Sequence, residues 1–416
     1  MITRLATNWE VYTQIDRPMM HVLHRMQRLG VRVDAAKIAE NTQKLRAQIT
    51  LLEGKLVELV GRPINPKSPK QMVAFLYGKD GLNLPTKYKR GTLTPSVDED
   101  TLNELYAKTQ HPAIALLLEI RQQRTLIGLL DMQLSPDGCI RTSYGVTETG
   151  RLSSSKDAFG VGANLQNIPK RKGKWFREVF IPRPGKVWLK ADLKQADART
   201  VAWLSQDPKL IEIFRTGQDI HRMTAALIFD AELAAVTDLQ RSLAKNCVHA
   251  LNYGLGPKKF AKMSNITEAQ AQRVSADYMR AFPNIRSVFQ ANIEAQLRRN
   301  RTLTNPFGRR RVFFDRWGDD LLRDGYAYIP QSTTADYINA ALAPIEAELP
   351  PSASLLLQVH DEIDLECAPE DATSCASILR KYIERPVLVG TEPMIIPLDI
   401  SIGPDWSHAD TPIDAT

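Results

Sequence analysis

Two short stretches place carboxylates where apolar segments break off. In "LLLQVHDEIDLEC" the residues Leu355, Leu356, Leu357 and Val359 read as a buried strand, and Ile363 and Leu365 alternate with Asp364 and Glu366 as in a half-exposed one. Between them lie His360, Asp361 and Glu362, so the two carboxylates are expected at the tip of a tight hairpin. Adjacent carboxylates raise one another's pKa unless a cation compensates, which fits either a solvated turn or a metal site. In "KVWLKADLKQADARTVAWLS" Val187 to Ala191 has strand character and Asp192 closes it. A helix follows with Ala198, Val201, Ala202 and Leu204 on its apolar side. Two aspartates delivered by two strand ends of one sheet can bridge a pair of Mg²⁺ ions about 3.5–4 Å apart, an arrangement that activates an attacking oxygen and stabilises a leaving one in phosphoryl transfer. The alternative for Asp192 is a cap on the helix after it.

A third stretch supplies cations. In "LQRSLAKNCVHALNYGLG" Arg241, Lys245, His249 and Tyr253 fall four residues apart and share one helix face, with Leu243, Cys247, Ala250 and Leu251 opposite. No acidic residue interrupts the stretch from Arg241 to Gly254, where the glycine is placed to end the helix. Cations followed by rings suit a nucleoside triphosphate, the former meeting phosphates and the latter sugar and base. Further on, "QLRRNRTLTNPFGRRRVFFDRW" carries Arg298, Arg299, Arg301, Arg309, Arg310, Arg311 and Arg316 around an expected turn at Asn305–Gly308, opposed only by Asp315. A one-sided run of this kind fits phosphate-backbone contact better than a solvated face.

These groups need rigid elements under them. At 416 residues the chain is long enough for two or three subdomains with separate cores. Residues 35–60 keep Ile38, Leu45, Ile49, Leu52 and Leu56 on one side of a long amphipathic helix that Gly61-Arg62-Pro63 ends. A short helix opens at Ser68-Pro69, a basic loop with Lys87, Lys89 and Arg90 follows, and a single helix from Leu102 to Leu130 is expected to return antiparallel to the first. The basic loop fits a DNA-contacting tip or a solvated loop. After Pro136 short strands and glycine turns take over, residues 206–300 are helical again, and the end is strand-like. The four cysteines show no metal-ligand or disulfide spacing, which fits a reducing cytoplasm. No apolar run is long enough to cross a membrane, and a net charge of +7 favours a polyanionic partner.

In chain order these segments resemble the polymerase region of the family A DNA polymerases, the bacterial DNA polymerase I family and its phage relatives. "ADLKQADAR" and "LQVHDEIDLE" are similar to the two catalytic motifs, "RSLAKNCVHALNYG" to the fingers helix, and "TETGRLSSS" and "NLQNIP" to the primer and template contacts. "DIHRMTA", "FPNIR", "NPFGRRR", "QSTTAD" and "IGPDW" match in the same register, so the likeness runs from Thr147 to Trp406, with a weaker one before Leu130. It implies an α+β right-hand fold with an antiparallel-sheet palm, helical fingers and a helical thumb. Residues 1–30 would lead in, 31–130 form the thumb, 131–204 and 335–416 the palm, and 205–334 the fingers.

Carried over by position, Asp192, Asp361 and the Leu193 main chain would bind two Mg²⁺ ions, with Mn²⁺ able to substitute, and Glu362 would be their acidic neighbour. Arg241, Lys245 and His221 would hold the triphosphate, with Lys245 also counted as catalytic. Tyr253 would lie near the templating base, Gln195 and Asp197 would line the sugar, and His249 would close around the sugar together with Asp197. Arg151, Asn164, Gln166, Asn167, Gln331 and His360 match positions that touch primer or template. The departures fall at the nucleotide: His249 stands where Phe or Tyr is usual, and Asp197 where Glu is. The expected activity is template-directed addition of deoxynucleoside triphosphates to a primer 3′ end by a monomeric cytoplasmic enzyme. Two alternatives are a single-subunit RNA polymerase-like enzyme and a catalytically inactive template-binding module. With about thirty residues ahead of Val31 and on the order of 150 needed for a proofreading domain, no nuclease domain is expected.

Overall fold

The stripe Leu45, Ile49, Leu52 and Leu56 is buried along one helix, α1 (Ala35–Val60), which Asp34 caps through the Lys37 N–H and Gly61 ends at φ +76°. The structure, a computed structural model, describes residues 5–89, 91–169, 174–264 and 266–413. Ser68 caps α2 (Pro69–Tyr77), with proline in its first turn. Residues 102–130 are not the single helix expected: α3 (Glu99–Thr109) stops at Gln110, in the left-handed region at φ +51°, and α4 (Pro112–Leu130) restarts with His111 as its cap. Proline lacks an N–H and disfavours helical backbone in the residue before it, so the apolar run divides at Pro112. The four helices enclose their own core around Leu56, Phe75, Leu105 and Leu117. They belong to the first of two units into which the chain divides, residues 33–140 with 161–163.

The other unit is built on a five-stranded sheet. Its strands are β1 (Val187–Leu193), β2 (Ser354–Val359), β3 (Glu362–Cys367), β4 (Leu398–Gly403) and β5 (Thr411–Pro412), in the order β5-β4-β1-β3-β2, every pair antiparallel. Ile363, Leu365 and Cys367 join the large core together with Ile378 and Leu379 of the helix Ala372–Ile383.

The alternate residues of β3 depart from expectation: the strand is buried on both faces, with Asp364 and Glu366 at 0% exposure. Trp188 Nε1 donates to Asp364 Oδ1 at 2.8 Å, and Glu366 Oε1 pairs with Arg183 at 2.9 Å and Lys186 at 3.1 Å. Burial first, and the neighbouring Glu362 second, push Asp364 well above the carboxylate range. A buried acid is tolerated when it is paired or neutral: Glu366 is paired, and Asp364 is held toward its neutral form. Their partners come from residues 183–188, far from β3 in sequence.

The same large core takes residues from α5 (Ala196–Ser205), α6 (Ile220–Phe229), α7 (Asp238–Asn252) and the long α8 (Asp319–Glu348).

Candidate active site

β1 and β3 pair so that Asp192 lies opposite Glu362, and the Leu193 N–H donates to the Asp361 carbonyl at 3.0 Å. The register therefore brings Asp192, Leu193 and Asp361 to one end of the sheet. The turn between β2 and β3 is only His360 and Asp361, with His360 held in the left-handed region at φ +59°, a conformation uncommon outside glycine. Glu362 is already in the strand and buried, not at an exposed tip: its Oε1 accepts from Trp406 Nε1 at 2.9 Å and pairs with Arg177 at 3.4 Å. The Arg177 guanidinium stacks 3.9 Å from the Trp406 ring centroid. Among the described residues no group of three or more His, Cys, Asp or Glu is arranged to hold a metal. The donors at the strand ends are two carboxylates and main-chain oxygen, the hard set that suits a magnesium ion retaining water and substrate phosphate.

On α7, Arg241 and Lys245 lie in successive turns of one face, and Tyr253 caps its C-terminus. Arg241 is tied to Asp219, the N-cap of α6, whose carboxylate also accepts from the His221 and Arg222 N–H groups. Burial works against the Asp219 charge, yet these donors hold its carboxyl below the usual range. Lys245 makes no ion pair among the described residues. The rings of His221 and His249 are 6.2 Å apart, and those of His249 and Tyr253 6.4 Å.

Burial pushes His221 down to about 4, with Lys245 and Arg241 adding to it, and lowers His249 as well. Both rings are therefore neutral at pH 7. The unfolded chain takes up protons near pH 6.5 while the folded His221 resists until about pH 4, so this contribution to stability is intact above pH 6.5 and is lost as the pH falls toward 4. The loss is on the order of 3 kcal/mol for His221. Replacing His249 with Phe should leave the shape of the pH–rate profile between pH 6 and 8 unchanged, as steady-state incorporation would report. A step near pH 6.5 present only in the parent would place a charged imidazole at the site.

Asp197, in the first turn of α5, is held by four donor contacts: Arg151 Nη2 at 3.2 and 3.1 Å, Tyr253 OH at 3.0 Å and Thr334 Oγ1 at 3.1 Å. Burial, then the Asp197 charge, keep the Tyr253 phenol protonated and a donor. Gln195 precedes α5 in the left-handed region at φ +52°. Its Oε1 and His221 Nδ1 are buried without a hydrogen-bond partner among the described residues.

Asn164 Oδ1 accepts from Ser154 Oγ at 2.8 Å and from the Asn167 N–H at 3.2 Å, while Gln166 Nε2 donates to the Gln358 carbonyl at 3.2 Å. Gln358 Nε2 in turn donates to the His360 carbonyl at 2.7 Å, so "NLQN" and "QVH" form one connected edge. Gln331 lies on α8, half-buried, three residues before Thr334. Lys87 and Lys89 belong to the other unit, where Lys87 pairs with Glu104 at 2.8 Å, and Arg90 lies outside the described residues. Asp219, Arg177 and Thr334 are contributors that sequence reading passes over. Two of them had a signal, Asp219 inside "DIHRMTA" and Thr334 inside "QSTTAD".

A model of the DNA polymerase family A matches residues 35–408. The chain is 30% identical over 414 residues to DNA polymerase I of Caldicellulosiruptor bescii, covering 95% of this chain and 47% of that protein. It is 31% identical over 417 residues to the thermostable DNA polymerase I of Thermus aquaticus, covering 96% and 48%. The chain thus spans about half the length of the curated relatives it matches. Among solved structures, the POL domain of Pol1 from M. smegmatis in complex with DNA primer-template and dNTP superimposes with a TM-score of 0.86 at 26% identity, over 96% of this chain and 71% of that one.

Proposed function

Because this chain belongs to DNA polymerase family A, we propose that it is a template-directed DNA polymerase, adding deoxynucleoside triphosphates to a primer 3′ end. The observation that carries the reading is the β1–β3 register, which sets Asp192 and Asp361 at one sheet end in the same unit as the cationic face of α7. Relatives of this family depend on divalent metal. Two Mg²⁺ ions held by Asp192, Asp361 and the Leu193 carbonyl would supply charge neutralisation for the attacking and leaving oxygens. Arg241 and Lys245 bind the triphosphate, and Lys245 meets the charge that develops on the departing phosphates. The unsatisfied Gln195 Oε1 and His221 Nδ1 are polar atoms that a bound nucleotide would complete. Arg151, Asn164, Gln166, Asn167, Gln331 and His360 position the primer end and its template partner. Residues 31–130 act as thumb, 205–334 as fingers, and the sheet as palm.

Metal-dependent primer extension by the purified chain tests this. Product from deoxynucleotides supports it; DNA affinity without product would favour a binding module, and extension with ribonucleotides alone an RNA-synthesising relative.

The sugar end carries a further expectation. A glutamate is usual in the family where Asp197 stands, and one methylene in a pocket is worth roughly 1–3 kcal/mol. Here the Thr334 hydroxyl donates to Asp197 Oδ1 at 3.1 Å, so a side chain one methylene longer would extend toward it. Asp197→Glu combined with Thr334→Ala should therefore raise discrimination against ribonucleotides by about 10- to 200-fold, and Asp197→Glu alone by less. Single-nucleotide incorporation of matched deoxy- and ribonucleotides reads this out. Equal selectivity in parent, single and double variants would mean that other residues gate the sugar.

A further inference from the structure

Most of the arginines in residues 298–316 remain outside the site described above. Two of them serve the fold: Arg309 is partly buried in ion pairs with Asp16 and Asp336, and Arg311 pairs with Glu148 and Asp324. Arg298, Arg299 and Arg316 are exposed and make no ion pair among the described residues. Beside them stand two aromatic side chains that take little part in packing, Phe314 at 91% exposure and Trp317 at 40%.

The backbone explains why Phe314 projects. The strand Arg310–Val312 runs on with its alternation intact, so Phe313 turns inward, edge-on to Tyr328 with ring centroids 5.7 Å apart, and the next residue turns outward. Arg301 clasps the segment on both sides of Phe314: its carbonyl accepts from the Phe313 N–H at 2.8 Å, and its Nη1 donates to the Asp315 carbonyl at 2.9 Å. Trp317 lies under two guanidiniums, Arg298 at 4.4 Å and Arg301 at 5.4 Å from the ring centroid.

A single exposed apolar side chain needs no explanation. An exposed phenyl ring held on a clasped segment, next to a cation-capped indole and unpaired arginines, is a different surface. Duplex DNA would use only the cations, because its bases are already stacked on one another. An apolar protein partner would use only the rings and would leave the guanidiniums to be desolvated. Single-stranded DNA uses both, its bases stacking on the rings and its phosphates meeting the arginines.

We propose that Phe314 and Trp317, with Arg298, Arg299 and Arg316, form a stacking platform for the unpaired template strand ahead of the site. The assignment to the template rests on the polymerase reading; the affinity for single-stranded DNA does not. Distance supports it. α8 starts at Asp319, just after Trp317, and carries Thr334, which touches Asp197. At 1.5 Å per residue the platform lies about 22 Å from that carboxylate. A stacked strand covers this span in about seven nucleotides.

Fluorescence anisotropy measures binding of blunt duplex, oligothymidylate, and primer–templates whose 5′ template overhang is about two or about twelve nucleotides, on either side of the seven or so needed to reach the platform. Phe314→Ala should weaken oligothymidylate and long-overhang binding by about 5- to 150-fold, the factor for one lost base stack. Blunt-duplex and short-overhang binding should stay at the parental value, and Phe314→Trp should restore the lost affinity. Arg298→Ala with Arg316→Ala should flatten the salt dependence, which Phe314→Ala should leave unchanged because stacking releases no counterions. Parental affinity of Phe314→Ala for oligothymidylate would overturn the platform, and so would an equal loss on blunt duplex. Weakened oligothymidylate binding with parental affinity for the long-overhang primer–template would overturn the template assignment. If the parent extended no primer, the polymerase reading would fail, while the oligothymidylate arm would still decide the platform.

Discussion

Asp192→Asn and Asp361→Asn proteins bind primer–template DNA within a few-fold of the parent and extend it at least about a thousandfold more slowly, a loss of roughly 4 kcal/mol or more in transition-state stabilisation. Asparagine keeps the shape of the side chain and removes its charge, and a hard divalent cation depends on that charge. The backbone should be unmoved, since Asp192 takes its place through the β1 register and Asp361 through a two-residue turn. Asp399 provides the control. It is the other cross-strand neighbour of Asp192, but it is largely exposed and pairs with Lys194 at 2.6 Å. Asp399→Asn should therefore extend primers normally. Single-turnover extension with matched DNA-binding titrations distinguishes these outcomes, and near-parental rates for either catalytic variant would remove the two-aspartate assignment.

Lys245→Ala should lower the rate of nucleotide addition by about 100- to 1,000-fold, in the range for losing one preorganised electrostatic donor, while leaving DNA affinity unchanged. The two cations of α7 are not equivalent. Arg241 is committed to Asp219, which fixes where its guanidinium lies, whereas Lys245 makes no ion pair among the described residues. The rings beside Lys245 are kept neutral by burial, so the ammonium supplies the charge of this part of the face. Lys245→Arg retains charge on a longer, planar group and should recover only part of the rate. The opposite pattern, weakened DNA binding with a normal nucleotide step, would move Lys245 out of the triphosphate site.

What was legible in the sequence is what depends on near neighbours along the chain. The four-residue spacing of Arg241, Lys245, His249 and Tyr253 survives in α7, and Asp192 and Asp361 fall at strand ends because an apolar run stops beside each. The Pro112 break was equally local but was masked by continuous apolar periodicity on both sides. What was not legible depends on partners distant in sequence. Nothing near Glu362 announces Arg177 and Trp406, and alternation along β3 looks the same whether Asp364 faces water or the Trp188 indole. Thr334 reaches Asp197 only because α8 and α5 lie together in the folded chain.

The position of β1 in the sheet also has a consequence for biosynthesis. Both of its neighbours, β3 and β4, are encoded far downstream of it, whereas α1 to α4 meet through contacts made early and close in sequence. At ribosomal speeds of roughly 5–20 residues per second, β1 emerges on the order of 10–30 s before β3. During that interval Val187–Leu193 has no native strand on either edge, which is the condition under which apolar strands pair with the wrong chain. Nascent or truncated chains that stop short of Ser354 are therefore the forms of this protein most prone to aggregate, and the end of the sheet that carries both aspartates is among the last parts of the molecule to be assembled.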